Sequence, residues 1–231
     1  RMGQESVKAV SADPELDLVA QTDLGDNLPE IIDQTKAQVV VDFTTAAVAM
    51  ETSADIIQAG ARPVIGTSGL LPEQVAKLKN LCKKQKLGGV IAPNFAIGAV
   101  LMMKYSQDAA KYFPHAEVIE LHHDGKVDAP SGTAIKTANL IAEARTSSPQ
   151  TNAEKEIIPG ARGANAEGIH IHSVRLPGLV AHQQVLFGGQ SQTLTIRHDS
   201  IHRDSFMPGV CLACKKVMDL NELVYGLEHL L

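Results

Sequence analysis

Short apolar runs alternate with amphipathic segments over the first half of the chain. Val39 to Phe43, Arg62 to Ile65 and Gly89 to Ala92 have the length and apolar continuity of buried strands. Each precedes a segment with apolar residues at helical spacing: Ala46 to Ala59, Pro72 to Gln85, and Gly98 to Phe113. Pro72 stands where the first turn of a helix tolerates it. Upstream, Gln4 to Ala12 reads as a helix with Val7 and Val10 on one side, and Leu16 to Gln21 as a further strand. Continuous strands alternating with helices predict a mostly parallel sheet covered on both faces, with binding loops at the carboxyl ends of its strands.

The pattern changes after Phe113. Ala116 to Leu121 alternates and reads as a strand, Ser131 to Arg145 as a helix, and Thr146 to Glu156 as a polar loop containing Pro149. Gly168 to Leu176, His182 to Phe187 and Gln192 to Asp199 follow as strands. Turns at Pro177 and Gly178 and at Gly188 and Gly189 separate them, which predicts an antiparallel meander. Gly209 to Met218 reads as a helix, and Leu220 to Leu231 completes the chain. The fold class is therefore α/β: a Rossmann-like parallel-sheet domain plus an α+β domain with a mixed or antiparallel sheet. The later strands are apolar at positions on both sides, so homo-oligomerisation through that sheet is expected.

Length and composition narrow the setting. A chain of 231 residues with 44% hydrophobic content fits two modest domains. A net charge of -5 and a pI near 6.0 argue against nucleic-acid or acidic-membrane partners, and 3% aromatics leave little for base stacking. No apolar run has the length of a membrane span and no signal-peptide pattern opens the chain, so a cytoplasmic location is expected. Cys82, Cys211 and Cys214 are too few and too scattered for a disulfide framework. His170 and His172 share a strand face without a third ligand at a persuasive spacing, so no metal is expected. The chain opens on Arg1, Met2, Gly3, which looks like the second half of a strand, glycine loop and helix unit. The first half is expected upstream.

The densest chemistry runs from Glu120 to Ala134, E-L-H-H-D-G-K-V-D-A-P-S-G-T-A. A histidine pair after a strand is, by itself, more often a solvated loop than a catalytic site. Here Lys126 and the helix start at Ser131, Gly132 and Thr133 stand in register behind His122 and His123. A helix start offers N–H donors and a positive dipole end to an anion. Histidine exchanges a proton near neutral pH, and lysine holds or donates one. The combination suits a small anionic substrate that is protonated while bound. At the carboxyl edge of the parallel sheet fall D-F-T-T at Asp42 to Thr45, G-T-S-G at Gly66 to Gly69, and A-P-N-F at Ala92 to Phe95. Each alone reads as an ordinary turn. Asp23, after the Leu16 to Gln21 segment, is either a turn residue or the acidic residue that bonds ribose hydroxyls in dinucleotide folds. Leu24 follows it where an arginine would welcome a 2′-phosphate, so NADH is expected to serve at least as well as NADPH.

The Glu120 to Ala134 run closely resembles the signature of the dihydrodipicolinate reductase family, E-x-H-H-x-x-K-x-D-A-P-S-G-T-A, with every fixed position present. The resemblance covers nearly the whole chain and extends to the stretch F-M-P-G-V. It implies reduction of a cyclic dicarboxylate by NADH or NADPH, with His122 as proton donor and Lys126 as second donor or electrostatic stabiliser. It also implies that His123, Gly132 and Thr133 hold the substrate carboxylates. The cofactor contacts it implies are Arg1, Met2, Asp23, Phe43, Gly66, Thr67, Ser68, Ala92, Pro93, Asn94 and Phe95. Ser68 replaces the commoner threonine and keeps the hydroxyl. The implied domains are 1–95 with 206–231 for the dinucleotide and 96–205 for substrate and assembly, in a homotetramer. Arg203, at the crossover, would help close on an anion. A related dehydrogenase of amino or imino acids, and a dinucleotide sensor without catalysis, remain as alternatives.

Overall fold

The computed structural model of the protein describes residues 2–67, 69–147 and 155–231. The chain divides into two compact units, one formed by Arg1–Ile97 with Arg203–Leu231 and the other by Gly98–His202. In chain order the first unit begins with α1 (Met2–Ala12), α2 (Leu28–Thr35), β1 (Val39–Asp42), α3 (Ala49–Gln58), β2 (Arg62–Ile65), α4 (Pro72–Gln85) and β3 (Gly89–Ile91). The second unit carries α5 (Ile97–Ala110), β4 (His115–His122), α6 (Gly132–Ala144), β5 (Ala164–Ala166), β6 (Ile169–Arg175), β7 (Ala181–Gly189) and β8 (Gln192–Ser200). The chain then returns to the first unit with α7 (Met207–Lys216) and β9 (Leu223–Tyr225).

In the first unit the strand order is β1-β2-β3-β9, every pair parallel. Ile57, Ile65, Leu78, Cys82, Ile91 and Leu223 form one apolar core, and Ile32, Ile56 and Ala61 a second. The helix ends follow local chemistry. Asn27 caps α2 through its side chain, which accepts from the Glu30 N–H. The Gln74 side chain accepts from the Leu71 N–H at 2.8 Å to close the start of α4, and Lys86 ends that helix in the left-handed region. Burial pushes the Cys82 thiol up to about 11 and the Cys214 thiol to about 12, as expected of packing residues.

Several expected elements differ. Leu16 to Gln21 forms no strand and pairs with none of the four strands of this sheet. The expected helix from Ala46 starts at Ala49, after a turn over 46–48, and the expected helix over Gly98 to Phe113 runs from Ile97 to Ala110. The Gly209 to Met218 helix begins two residues earlier and ends in a 3-10 turn over Val217–Asp219. The helix α2 and the short strands β5 and β9 were not anticipated. Most of the loop expected over Thr146 to Glu156 lies outside the described residues.

The second unit is a mixed sheet of order β5-β6-β4-β7-β8, not a meander. β4 lies between β6 and β7, parallel to the first and antiparallel to the second. The Pro177 and Gly178 turn therefore does not close a hairpin. It carries the chain across the end of β4, where the Leu176 N–H donates to the His122 carbonyl at 3.1 Å. The other expected turn also moves. Gly188 and Gly189 stay in β7, beside His115 and the Phe113 ring, and the hairpin turns at Gln190 and Ser191 with Ser191 at φ 57. Val118, Ala138, Ile141, Ile171, Val185 and Phe187 form the core between this sheet and its helices. The opposite face, with Ile119, Leu121, His172, Gln184 and Arg197, is half-buried or exposed.

Candidate active site

Period two places Val118, Glu120 and His122 on the core side of β4, under α6. Val118 continues the apolar core, whereas Glu120 puts a carboxyl of 0% exposure into it. The partners that make this tolerable come from the neighbouring strand. Arg175, opposite His122 in the β4–β6 register, donates from Nη2 to Glu120 Oε1 at 2.8 Å and from Nη1 to Oε2 at 3.0 Å. His122 donates from Nδ1 to Glu120 Oε2. Burial pushes the Glu120 carboxyl up, but Arg175, Ser173 and His122 together outweigh it and hold the group below its ordinary value, ionised. An ionised carboxylate only accepts, so the proton on His122 sits at Nδ1 and Nε2 is the nitrogen left for proton transfer. Burial pulls the His122 imidazole below its usual value. Glu120 opposes that pull, and Lys126 and Arg175 reinforce it.

Beyond His122 the chain makes a turn in which the Lys126 N–H donates to the His123 carbonyl at 3.1 Å. Lys126 Nζ donates to both Asp128 oxygens, at 2.7 and 2.9 Å. That bond, against the opposing effect of burial, holds the Asp128 carboxyl below its ordinary value. The Asp128 carbonyl accepts from Arg175 Nη2 at 2.7 Å, tying this loop to β6. Ser131 then caps α6, its hydroxyl accepting from the Ala134 N–H at 3.2 Å. Gly132 is exposed, with open space where a side chain would project, at the positive end of the helix. A buried relay fixes this first turn. Gln183 of β7 donates to the Thr137 hydroxyl at 2.7 Å, and Thr137 donates to the Thr133 carbonyl at 2.7 Å. His122, His123, Lys126, Gly132 and Thr133 thus all belong to one strand end, one loop and one helix start. Glu120, Arg175 and Gln183 had no assigned role in the sequence reading. The signal for Glu120 was available, as a charged residue in phase with the core residue Val118.

In the first unit, pairing of Asp42 with Ile65, Ile65 with Ile91 and Ile91 with Tyr225 brings four strand ends to one edge. The D-F-T-T, G-T-S-G and A-P-N-F loops start there. They are stitched together by the Gly66 N–H to the Asp42 carbonyl at 2.8 Å and the Ala92 N–H to the Ile65 carbonyl at 2.9 Å. Asp42, 2% exposed, accepts at Oδ1 from the Thr44 N–H at 2.7 Å and the Thr67 hydroxyl at 3.4 Å, while Oδ2 is buried without a partner. The Phe43 and Phe95 rings meet edge to face at 5.7 Å, and a side chain at Gly66 would run into the Phe43 ring. Gly66 thereby makes room for Phe43, a packing need the sequence reading did not foresee. Pro93 is exposed, and the half-buried Asn94 closes the third loop by accepting from the Ala96 N–H at 2.9 Å. Ala92, Phe95 and Thr67 are buried. Gly226 joins the same edge at φ 112, donating to the Ile91 carbonyl at 2.8 Å. Asp23 is an exposed turn residue, its Oδ1 accepting from the Leu24 N–H at 2.8 Å. Met2 is half-buried at the start of α1, Arg203 is exposed, and Arg1 and Ser68 lie outside the described residues. Glycines, hydroxyls and an orphaned carboxylate oxygen at one parallel-sheet edge fit a dinucleotide. Among the described residues no group of three metal-ligating side chains occurs, and no helix is long and apolar enough to cross a membrane.

A parallel sheet with such an edge, and a second unit bearing a half-buried histidine beside a helix N-terminus, are the features of a nicotinamide-dependent oxidoreductase. The chain belongs to the dihydrodipicolinate reductase family: the N-terminal family model matches residues 1–95 and the C-terminal model residues 98–231. A 4-hydroxy-tetrahydrodipicolinate reductase of Streptococcus pneumoniae serotype 19F (strain G54) is 55% identical over 243 aligned positions, covering 100% of this chain and 95% of the relative. A dipicolinate-bound dihydrodipicolinate reductase from Paenisporosarcina sp. TG-14 superposes with a TM-score of 0.91 at 49% identity, over 100% of this chain and 95% of the other. An amine dehydrogenase from Mycobacterium smegmatis shares the fold, with a TM-score of 0.64 at 13% identity over 96% and 91% of the two chains.

Proposed function

We propose that the chain reduces 4-hydroxy-tetrahydrodipicolinate to tetrahydrodipicolinate, a step of lysine and diaminopimelate biosynthesis, with His122 as the proton donor. Family membership supports the reaction, and the observation that carries the role of His122 is its Nδ1–H bond to an ionised Glu120 beside a capped helix start. The reduction consumes one hydride and one proton, and the substrate hydroxyl leaves as water. When bound, the reduced nicotinamide supplies the hydride. His122 delivers the proton from Nε2, and Lys126 assists by exchanging its contact with Asp128 for the charge that develops on the substrate. His123, Gly132 and Thr133 hold the carboxylates, the last two at the N-terminus of α6. Met2, Asp23, Phe43, Gly66, Thr67, Ala92, Pro93, Asn94 and Phe95, with Arg1 and Ser68, serve the dinucleotide. Within that set the buried Ala92 and Phe95 shape the loop, while the exposed Pro93 is open to contact.

Asp23 accepts the ribose hydroxyls and Leu24 offers no charge to a 2′-phosphate, so NADH serves at least as well as NADPH. Loss of nicotinamide absorbance with freshly generated substrate, measured for both cofactors, tests the reaction and the preference together. An NADPH preference of about fiftyfold or more would refute the reading of Asp23 and Leu24. The face of the second sheet that carries the half-buried Ile119, Leu121 and Leu186 is, in this proposal, the surface through which four chains assemble. Light scattering that finds a monomer at micromolar concentration would overturn the tetramer.

A further inference from the structure

We infer that Glu120 and Arg175 act as a positioning pair for the reduction: Glu120 sets the ring and tautomer of His122, and Arg175 fixes Glu120 while anchoring the loop that carries Lys126. The inference rests on the reading of His122 as the proton donor.

Neither oxygen of Glu120 is open to solvent, and both are engaged by Arg175, with Ser173 as a further neighbour. Oε1 is taken by Arg175 Nη2, and Oε2 is shared by Arg175 Nη1 and His122 Nδ1. The guanidinium goes further, donating to the carbonyls of Val174 at 2.8 Å and Asp128 at 2.7 Å. Asp128 in turn holds the ammonium of Lys126 through its side chain. One arginine therefore connects the histidine side of the site, through Glu120, with the lysine side, through the loop backbone. Stability alone gives little reason for this arrangement, since well-packed apolar residues commonly replace a buried ion pair without loss. A fork of two parallel N–H bonds gives geometry, which a single cation on a flexible stem does not.

The charged groups around His122 are Glu120 from β4, Arg175 from β6, and Lys126 with its partner Asp128 from the loop. The neighbour from β7 is Ala181, which carries no charge. Glu120 favours the imidazolium, whereas Arg175 and Lys126 disfavour it. Because the donor must be protonated, kcat/KM falls as pH rises through the titration of His122. Removing either member of the pair lowers kcat, but the two removals move that alkaline limb in opposite directions.

The test uses the full chain with Glu120→Gln, Arg175→Met, Arg175→Lys, the double variant Glu120→Gln with Arg175→Met, and His122→Gln as control. Profiles of kcat and kcat/KM against pH are recorded for each. Glu120→Gln is expected to displace the limb to lower pH and Arg175→Met to higher pH, each lowering kcat by about tenfold or more. Arg175→Lys is expected to leave the limb near its wild-type position while lowering kcat, because it keeps the charge and loses the fork. The double variant, which leaves no buried ion unpaired, keeps the question open to test if Glu120→Gln does not fold. Its limb is expected between those of the single variants. Limbs that stay fixed, or move the same way in both single variants, while His122→Gln abolishes turnover, would overturn the positioning pair alone. Wild-type turnover in His122→Gln would overturn the donor assignment and the pair with it.

Discussion

The same three kinds of side chain meet on each of the two faces of the β4 and β6 ribbon. On the core side Glu120 binds Arg175 and His122. On the other side Glu117 binds Arg162, and its Oε2 accepts from His172 Nε2 at 2.7 Å. Both carboxyls are pushed up by burial and pulled further down by their partners, so both are ionised. Their surroundings separate them. The Glu120 side chain is 0% exposed and Glu117 33%. Only the Glu120 trio stands at a strand end, where the crossing 176–180 segment, the Lys126 loop and the start of α6 converge. A Glu, Arg and His constellation is therefore no site in itself. It becomes one where low exposure strengthens each interaction and a helix terminus supplies the anion seat.

The largest contrast between the faces lies in activity. His122→Gln is expected to lower turnover by roughly 10²- to 10⁴-fold, the range for loss of a general acid. His172→Gln removes the equivalent contact from the other face and is expected to leave kcat per subunit within about twofold, because His172 lies on the side of the sheet opposite His122. Steady-state kinetics of the two variants decide the matter. Equal losses in both would mean that the faces differ in burial and not in function.

Why one face reads as a site and the other does not was only partly visible in the sequence. The order His122, His123, Lys126, Ser131, Gly132, Thr133 is contiguous, and contiguous chemistry survives any error in sheet topology. The strands Arg62–Ile65 and His115–His122 and the helix Pro72–Gln85 were legible because period and caps are local properties. The role of Arg175 was not legible. It depends on β6 lying parallel to β4, whereas Pro177 and Gly178 read locally as a hairpin turn between β6 and β7. A strand inserted between two sequence neighbours leaves no mark at the turn itself. Leu16 to Gln21 shows the same dependence, since an apolar stretch becomes a strand only when a second strand bonds it, and here none does. Gly66 shows the limit at single residues. Its need for a missing side chain comes from Phe43, more than twenty positions away in sequence and adjacent only across the β1–β2 ladder.

The smaller contrast is in stability, and it tests the burial argument without reference to catalysis. Glu120→Gln leaves Arg175 with its charge in a largely buried position and without its main partner, a change that typically costs about 3–5 kcal/mol. Glu117→Gln breaks a pair that is a third open to solvent in the single chain, and for dissociated chains it is expected to cost about 1 kcal/mol or less. Denaturant midpoints at neutral pH give the two values. Acid then supplies the sign. The folded values of both carboxyls are depressed, so their contributions are complete above the ordinary glutamate range and fade as pH falls through the folded values. The destabilisation of Glu120→Gln relative to wild type is therefore expected to shrink below the ordinary range, as the wild-type carboxyl itself becomes protonated. A difference that stays constant into acid would trace the loss to packing of the amide and not to the charge of Glu120, and the two faces would then differ in shape alone.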